Sequence, residues 1–242
     1  MRNAFASVVA GLVLSALSFS PVARAASAGL PGAWQAWQPG NDISNTASLQ
    51  RGAGNFMGYC AGCHSLKYVR YSRLAEDLSI PEAQMEKLLI LPGAKKGDYI
   101  TTPLSAADAE AWFGKAPPDL SLMTKARPDG TNYVYSLLTG YSDDVPKGWT
   151  KPDTLYYNPY FHSVNIAMPP PLAADGQVTY SDGSPATTDQ YAKDVSAFLT
   201  WTAEPKLENR KETGMAVILF LIIMTGLGYL SYRKVWADIK KA

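Results

Sequence analysis

Cysteine and histidine are scarce in this chain of 242 residues, which has two of each. Both cysteines lie in one pentapeptide, residues 60–64, which reads CAGCH. No thiol therefore remains for a structural disulfide or for the second cysteine pair of a zinc site. The sequence has no internal repeat and no low-complexity tract, and its length suits one ordinary domain with appendages.

The pentapeptide is the attachment signal for a c-type haem, and each of its fixed residues has a separate task. Cys60 and Cys63 add to the two vinyl groups of the porphyrin as thioethers, and His64 follows as the proximal ligand of the iron. A dithiol redox pair, half of a zinc site or a disulfide also uses two such cysteines, but the adjacent histidine fits these sites less well. We therefore predict one haem c, bound covalently.

An apolar segment lies near each end of the chain. Arg2, an apolar run and an A-x-A cleavage site at 23–25 are typical of a cleaved secretory signal, with an uncleaved anchor as the alternative. Residues 215–232 contain no charge and predict a transmembrane helix, for which a buried core helix is the alternative. Basic residues follow this run and place the C-terminus in the cytoplasm. The predicted division is a signal peptide at 1–25, a periplasmic cytochrome c domain at 26–212, a transmembrane anchor at 213–236 and a cytoplasmic tail at 237–242.

The formal charge of +1 hides an asymmetry along the chain. Residues 26–212 carry 16 Lys and Arg against 20 Asp and Glu, a net charge of −4. A mildly acidic exported domain argues against nucleic-acid binding and permits a basic partner.

Apolar spacing and capping signals predict short helices joined by long ordered loops. One helix should begin near residues 44–46 and run into the haem motif. Capping boxes at Ser79–Glu82, Ser105–Asp108 and Thr187–Gln190 should open three further helices, and another should end at Gly140.

Two segments predict other structure. Val178 and Tyr180 flank a polar turn at 181–184 and indicate a small β-hairpin. Residues 141–171 are loop-like, and a loop of this length in a compact domain is usually functional.

A haem iron held by His64 has a sixth position to fill. Met57 lies on the helix that carries the motif, and Met85 has the spacing of a core residue. Met168 precedes three prolines that stiffen the backbone, so we predict that its thioether is the sixth ligand, which raises the reduction potential. His162 and an open site remain alternatives.

The chain resembles the cytochrome c1 family, the haem-bearing subunits of cytochrome bc1 complexes, in a bacterial form. The resemblance rests on CAGCH, APPDLS at 116–121, Arg127 with NYVYSLLTGY at 132–141, NPYF at 158–161, IAMPPPL at 166–172 and the AKDVSAFLTWTAEP helix before a single anchor. It implies a mainly α c-type cytochrome fold with long ordered loops and a small β-hairpin, plus one C-terminal transmembrane helix.

The resemblance also implies roles for individual residues. Met168 matches the axial methionine, and Arg127 matches a residue near the haem propionates, which suits a guanidinium fork. His162 departs from the family, which commonly has Pro or Gly there. The positions packed around the porphyrin would be Pro118, Tyr133, Leu137, Leu138, Phe161 and Ile166.

The implied function is electron transfer in a respiratory chain. The haem would take one electron from a Rieske iron-sulfur protein and pass it to a soluble cytochrome c, beside cytochrome b in a membrane-bound, dimeric complex. Such a subunit is an electron carrier within a quinol:cytochrome c oxidoreductase and sits on the periplasmic side of the bacterial cytoplasmic membrane. The competing interpretations are a membrane-anchored cytochrome c serving a terminal oxidase, a haem enzyme such as a peroxidase, and a dithiol oxidoreductase without haem.

Overall fold

The computed structural model describes residues 43–172 and 174–237, so the predicted signal peptide and the last five residues lie outside it. The described chain is mainly helical, with two small antiparallel strand pairs, and this confirms the predicted fold class. In chain order the elements are α1 (Thr46–Tyr59), β1 (Leu66–Arg70), α2 (Tyr71–Asp77), α3 (Glu82–Leu88), β2 (Tyr99–Ile100), α4 (Ala106–Phe113), α5 (Met123–Ala126), α6 (Gly130–Thr139), β3 (Tyr156–Tyr157), β4 (Asn165–Ile166), α7 (Thr188–Ala203) and α8 (Leu207–Val235).

The core is organised around a close crossing of α1 and α7. A Cβ on Gly52 would lie 2.2 Å from the Asp194 carbonyl oxygen and 2.7 Å from the Phe198 Cβ, so only glycine permits this approach. One turn further along α1, the Phe56 ring lies 5.7 Å from the Phe198 ring. Both rings are fully buried, and burial of this much apolar surface holds the two helices together.

A buried carboxylate lies in the same crossing. Asp194 has no exposed side-chain surface and accepts hydrogen bonds from Arg51 Nε at 2.8 Å and Nη2 at 2.9 Å. Ser48 Oγ at 2.6 Å and Gln190 Nε2 at 3.1 Å complete its partners. The bonds to Asp194 raise the pKa of Arg51 above its usual value. A buried charge is tolerated only when its oxygens are satisfied in this way.

Helix α6 packs on α7, where Thr131 and Thr200 share a hydrogen bond of 2.7 Å. Gly140 ends α6 as predicted, but its φ of −88° is not left-handed. A Cβ there would lie 2.3 Å from the Tyr160 ring, so glycine is required for close approach and not for its backbone freedom.

The strand pairs are short. Leu66 of β1 lies opposite Ile100 of β2, and both side chains are fully buried. The second pair, β3 with β4, falls inside the predicted loop at 141–171, with Tyr156 opposite Ile166.

Three predicted helix starts are confirmed by their caps. Asn45, inside the predicted window, accepts from the Ser48 N–H, and Ser105 accepts from the Asp108 N–H. Thr187 accepts from the Gln190 N–H and opens α7.

The capping box at Ser79 is wrong. Pro81 stands at the N-cap of α3, and Ser79 has a positive φ of 53° and lies outside the helix. Proline fixes its own φ and disfavours helical geometry in the residue before it, so the helix cannot begin earlier.

The predicted hairpin near residue 180 is also wrong, because residues 178–184 form no strand and the Tyr191 side chain takes both backbone polar groups of Val178. The Tyr191 hydroxyl lies 2.9 Å from the Val178 nitrogen and 2.6 Å from its carbonyl oxygen. Asn55 donates to the Tyr180 hydroxyl, and Arg51 Nη1 lies 2.7 Å from the Asp182 carboxylate.

Helix α8 is long and apolar, and its mean hydropathy reaches 2.1 over an 18-residue window that is not buried. It begins at Leu207, six residues before the predicted span at 213–236. The connection from α7 is short, and in it the Glu204 carboxylate pairs with Arg210 of α8 and lies 4.0 Å from Lys125 Nζ of α5.

Gly52→Ala should destabilise the protein by about 1–3 kcal/mol, because the added methyl overpacks the α1–α7 crossing. Gly54 lies on the same helix with open space around its Cα, so Gly54→Ala is the matched control and should be neutral or stabilising by up to about 1 kcal/mol. Thermal unfolding of the detergent-purified variants measures both. Equal melting temperatures for the two variants would contradict the close crossing.

Candidate functional site

A cavity of about 510 Å³ lies among the end of α1, residues 113–127, α6 and the loop from 161 to 171. Val195 and Leu199 of α7 form part of its lining. This volume lies within the range of about 300–1,000 Å³ that proteins use for cofactors and small ligands.

All of the residues predicted to hold or surround a haem line this single cavity. They come from five separate stretches of the chain, which the fold brings together. They are Cys60, Cys63, His64, Pro118, Arg127, Tyr133, Leu137, Leu138, Phe161, Ile166 and Met168.

The cysteines lie in a tight turn at the C-terminal end of α1. The N–H groups of Cys63 and His64 both donate to the Cys60 carbonyl, at 3.0 and 2.8 Å. Thr102, just after β2, donates its hydroxyl to the Gly62 carbonyl at 2.7 Å and so ties the turn to the strand pair. Both thiols are free, and burial raises the pKa of Cys60 to about 12.

The His64 imidazole is oriented by the backbone of the facing segment. Its Nδ1 lies 2.8 Å from the Pro118 carbonyl oxygen. A carbonyl can only accept, so Nδ1 carries the proton and Nε2 keeps a free lone pair. Burial lowers the pKa of His64, which favours the neutral form that a metal requires.

Backbone pairing brings the Pro118 segment to the histidine. The Leu120 N–H donates to the Ser65 carbonyl at 2.9 Å. The Asp119 carboxylate accepts from the backbone N–H groups of Lys67 at 2.9 Å and Ser121 at 3.0 Å. The orientation of His64 therefore depends on β1, which begins two residues later.

The Met168 side of the cavity is fastened to α6. Asn158 is fully buried, donates from Nδ2 to the Leu137 carbonyl at 2.8 Å and accepts from the Tyr160 N–H at 3.1 Å. The Tyr141 hydroxyl donates to the Met168 carbonyl at 2.9 Å.

His162 also lines the cavity, so its position leaves it available as an alternative ligand. Its ring lies 4.3 Å from the Phe161 ring, and Lys115 Nζ lies 5.7 Å from the same ring. Met85 is a buried core residue, in agreement with its predicted role.

Sequence reasoning missed several lining residues. Val195 and Leu199 have the helical spacing of core residues, and nothing in that spacing indicates a cavity. Lys115 directly precedes the APPDLS motif, and only this adjacency in the sequence indicated that it lies near the cavity. With Arg127 it supplies the positive charge of the lining, and within the described part of the chain no Asp or Glu lines the cavity.

These donors fit a haem. Two free thiols, an imidazole with an unshared lone pair and a thioether face one cavity whose other lining residues are mostly apolar. Lys115 and Arg127 are cations that would suit the propionates of a bound haem. Among residues 43–172 and 174–237, no group of three His, Cys, Asp or Glu side chains is placed to hold a metal ion, so the zinc interpretation lacks its ligands there.

Comparison with known proteins gives a consistent picture. The family model described as the cytochrome C1 family matches residues 38–90 and 92–239. The chain is 41% identical over 224 residues to cytochrome c1 of Rhodospirillum rubrum, a match that covers 79% of this chain and 82% of the relative. It is 40% identical over 211 residues to the mitochondrial cytochrome c1 haem protein of Saccharomyces cerevisiae, covering 80% of this chain and 68% of that protein.

A third relative is much longer than this chain. The protein named cytochrome b/c1 of Bradyrhizobium diazoefficiens is 42% identical over 229 residues, which is 79% of this chain but only 33% of the relative. The match therefore spans about a third of that protein's own length.

Proposed function

Because the chain belongs to the cytochrome c1 family, we propose that it is the haem-bearing electron-transfer subunit of a respiratory cytochrome bc1 complex. The observation that carries the proposal is the convergence of Cys60, Cys63, His64 and Met168 on one cavity. In this role the subunit would carry electrons, and the haem would supply the redox chemistry.

Cys60 and Cys63 would hold one haem c covalently, and His64 would ligate the iron through Nε2. When bound, the iron supplies a reversible one-electron couple. The bond from His64 Nδ1 to the Pro118 carbonyl fixes the plane of the ring and makes Nε2 a better donor. Met168 would close the opposite face and raise the potential.

The remaining lining residues set the environment of the site. Leu137, Leu138 and Ile166, with Pro118, Tyr133 and Phe161, line the cavity and would keep water from a bound haem. A dry site needs little solvent reorganisation when charge changes, which favours fast electron transfer. Arg127 would pair with a propionate, and its guanidinium lies 6.0 Å from the Tyr133 ring.

The proposed donor is a Rieske iron-sulfur protein beside cytochrome b, and the proposed acceptor is a soluble cytochrome c. Family membership supports these partners, and the name of the Bradyrhizobium relative joins cytochrome b with cytochrome c1. The net charge of −4 over residues 26–212 favours association with a basic carrier. In the family such complexes are dimeric, and we extend this to the present chain.

Helix α8 would be the membrane anchor. Its apolar surface is exposed along its length, and its 29 residues are enough to cross a bilayer. Basic residues after the helix favour a cytoplasmic C-terminus, which leaves the haem domain on the periplasmic side of the inner membrane.

The haem should remain on the polypeptide after extraction with acid acetone, because thioether bonds survive this treatment. Absorbance of the reduced protein in alkaline pyridine checks the attachment. Replacing both Cys60 and Cys63 by Ala should abolish covalent retention, whereas Cys60→Ala alone leaves one thioether. Complete extraction of haem from the unaltered protein would show that covalent attachment is wrong.

Met168→Ala should lose the methionine-ligated low-spin spectrum and keep its haem, because Cys60, Cys63 and His64 remain. Optical and paramagnetic resonance spectra of the ferric protein report the change. His162→Ala is the control and should keep the spectrum. Loss of the sixth ligand in His162→Ala, with Met168→Ala unchanged, would transfer the ligand role to His162.

The protein should co-purify in mild detergent with a cytochrome b and a Rieske subunit, identified by their haem and iron-sulfur spectra. This experiment tests the proposed complex. Co-purification with a haem-copper oxidase instead would favour a membrane-anchored cytochrome c that serves a terminal oxidase.

A further inference from the structure

Residues 168–172, which read MPPPL, separate the candidate haem cavity from a second cavity of about 430 Å³. Met168, Pro169 and Pro171 line the first cavity, whereas Pro170 and Leu172 line the second. We call this segment the wall. With haem in the first cavity, the wall would still face the second cavity at Pro170, where few packing contacts hold it in place.

The wall also has few ways to form hydrogen bonds. Its three prolines have no N–H to donate, so only carbonyl oxygens are left to anchor this part of the backbone. Two carbonyls are held by side chains from elsewhere in the fold. Tyr141 donates its hydroxyl to the Met168 carbonyl at 2.9 Å, and Gln177 Nε2 donates to the Pro171 carbonyl at 3.1 Å.

Tyr141 is itself well placed to act as an anchor. It follows Gly140, the C-cap of α6, against which the Tyr160 ring packs. Leu138, in the last turn of α6, lines both cavities, and Tyr141 lines the second. The Tyr141 side chain therefore connects the end of a packed helix to the backbone of Met168, the proposed ligand.

We propose that Tyr141 is the positioning residue that holds the Met168 thioether in the sixth position of the haem iron. This inference rests on the proposed haem function. A thioether is a neutral and weak donor, so it stays bound only when the backbone that carries it is fixed. Pro169 restricts the backbone dihedral angles of Met168, and the Tyr141 bond fixes where that backbone lies in the fold.

The test is Tyr141→Phe in the full chain, purified with its haem in detergent. Added imidazole competes with the thioether for the iron, so its apparent affinity for the ferric protein measures how firmly Met168 is held. Loss of one net hydrogen bond should raise this affinity about five- to tenfold. The midpoint potential should fall, because methionine ligation is what raises it.

Tyr135→Phe is the matched control. It removes a tyrosine hydroxyl from α6 that donates to Asp189, at 2.6 Å, and Tyr135 does not line the haem cavity. Imidazole affinity should not change in this variant. A rise equal to that of Tyr141→Phe would overturn the proposal, because it would show a general effect of loosening α6.

Gln177→Ala is the second variant, used also if Tyr141→Phe does not accumulate with haem. It removes the hydrogen bond to the Pro171 carbonyl, near the other end of the wall, and should also raise imidazole affinity. Unchanged affinity in Tyr141→Phe, or in Gln177→Ala where only that variant is obtained, overturns the proposal.

A double-variant comparison separates positioning from general stability. In a Met168→Ala background there is no thioether to hold, so adding Tyr141→Phe should leave imidazole affinity unchanged. A further rise would mean that Tyr141 acts on the cavity as a whole and not through Met168. If Met168→Ala alone does not alter the sixth ligand, the proposed ligation fails. If it does and Tyr141→Phe has no effect, only the positioning role fails.

Discussion

Helices α1 and α7 meet at Gly52 without room for a side chain, and the buried Asp194 carboxylate lies in the same crossing. Desolvating such a charge costs several kcal/mol unless its oxygens are paired, so Arg51 and its neighbours restrict the crossing to one geometry. The position of the candidate haem site depends on that geometry. Cys60 follows Gly52 by about two helical turns, and Val195 follows Asp194 directly into the cavity lining.

The two proposed axial ligands are supported in different ways. His64 is oriented through backbone groups close to the strand pair, with the Pro118 carbonyl on its ring and the Ser65–Leu120 bond beneath it. The Met168 segment depends instead on side chains outside α6, namely Tyr141 just after that helix and Gln177, which donate to its carbonyl oxygens. Hydrogen bonds between backbone groups survive most side-chain substitutions. A hydrogen bond that a side chain donates is lost when its donor atom is removed. The methionine side of the site is therefore the more easily altered by mutation.

Sequence patterns predicted the helices better than they predicted the loops. The caps at Ser105 and Thr187 succeed because a capping bond joins residues three apart and needs no distant partner. The hairpin near Tyr180 fails because the Tyr191 hydroxyl, from α7, binds the backbone N–H and carbonyl of Val178. The resemblance to the cytochrome c1 family pointed to cavity residues that residue spacing alone could not identify. Lys115 and Leu199 were identified as cavity residues only from the structure.

The connection between α7 and α8 is only three residues long. Glu204, its first residue, pairs with Arg210 and lies near Lys125. If α8 spans the bilayer as proposed, this short connection keeps the haem domain close to the membrane surface. The height of the haem above the lipid is then a fixed dimension, set by the chain. Any travel needed to bring a donor and an acceptor to the same haem must be made by those partners, which have to carry their own flexible hinges or diffuse freely.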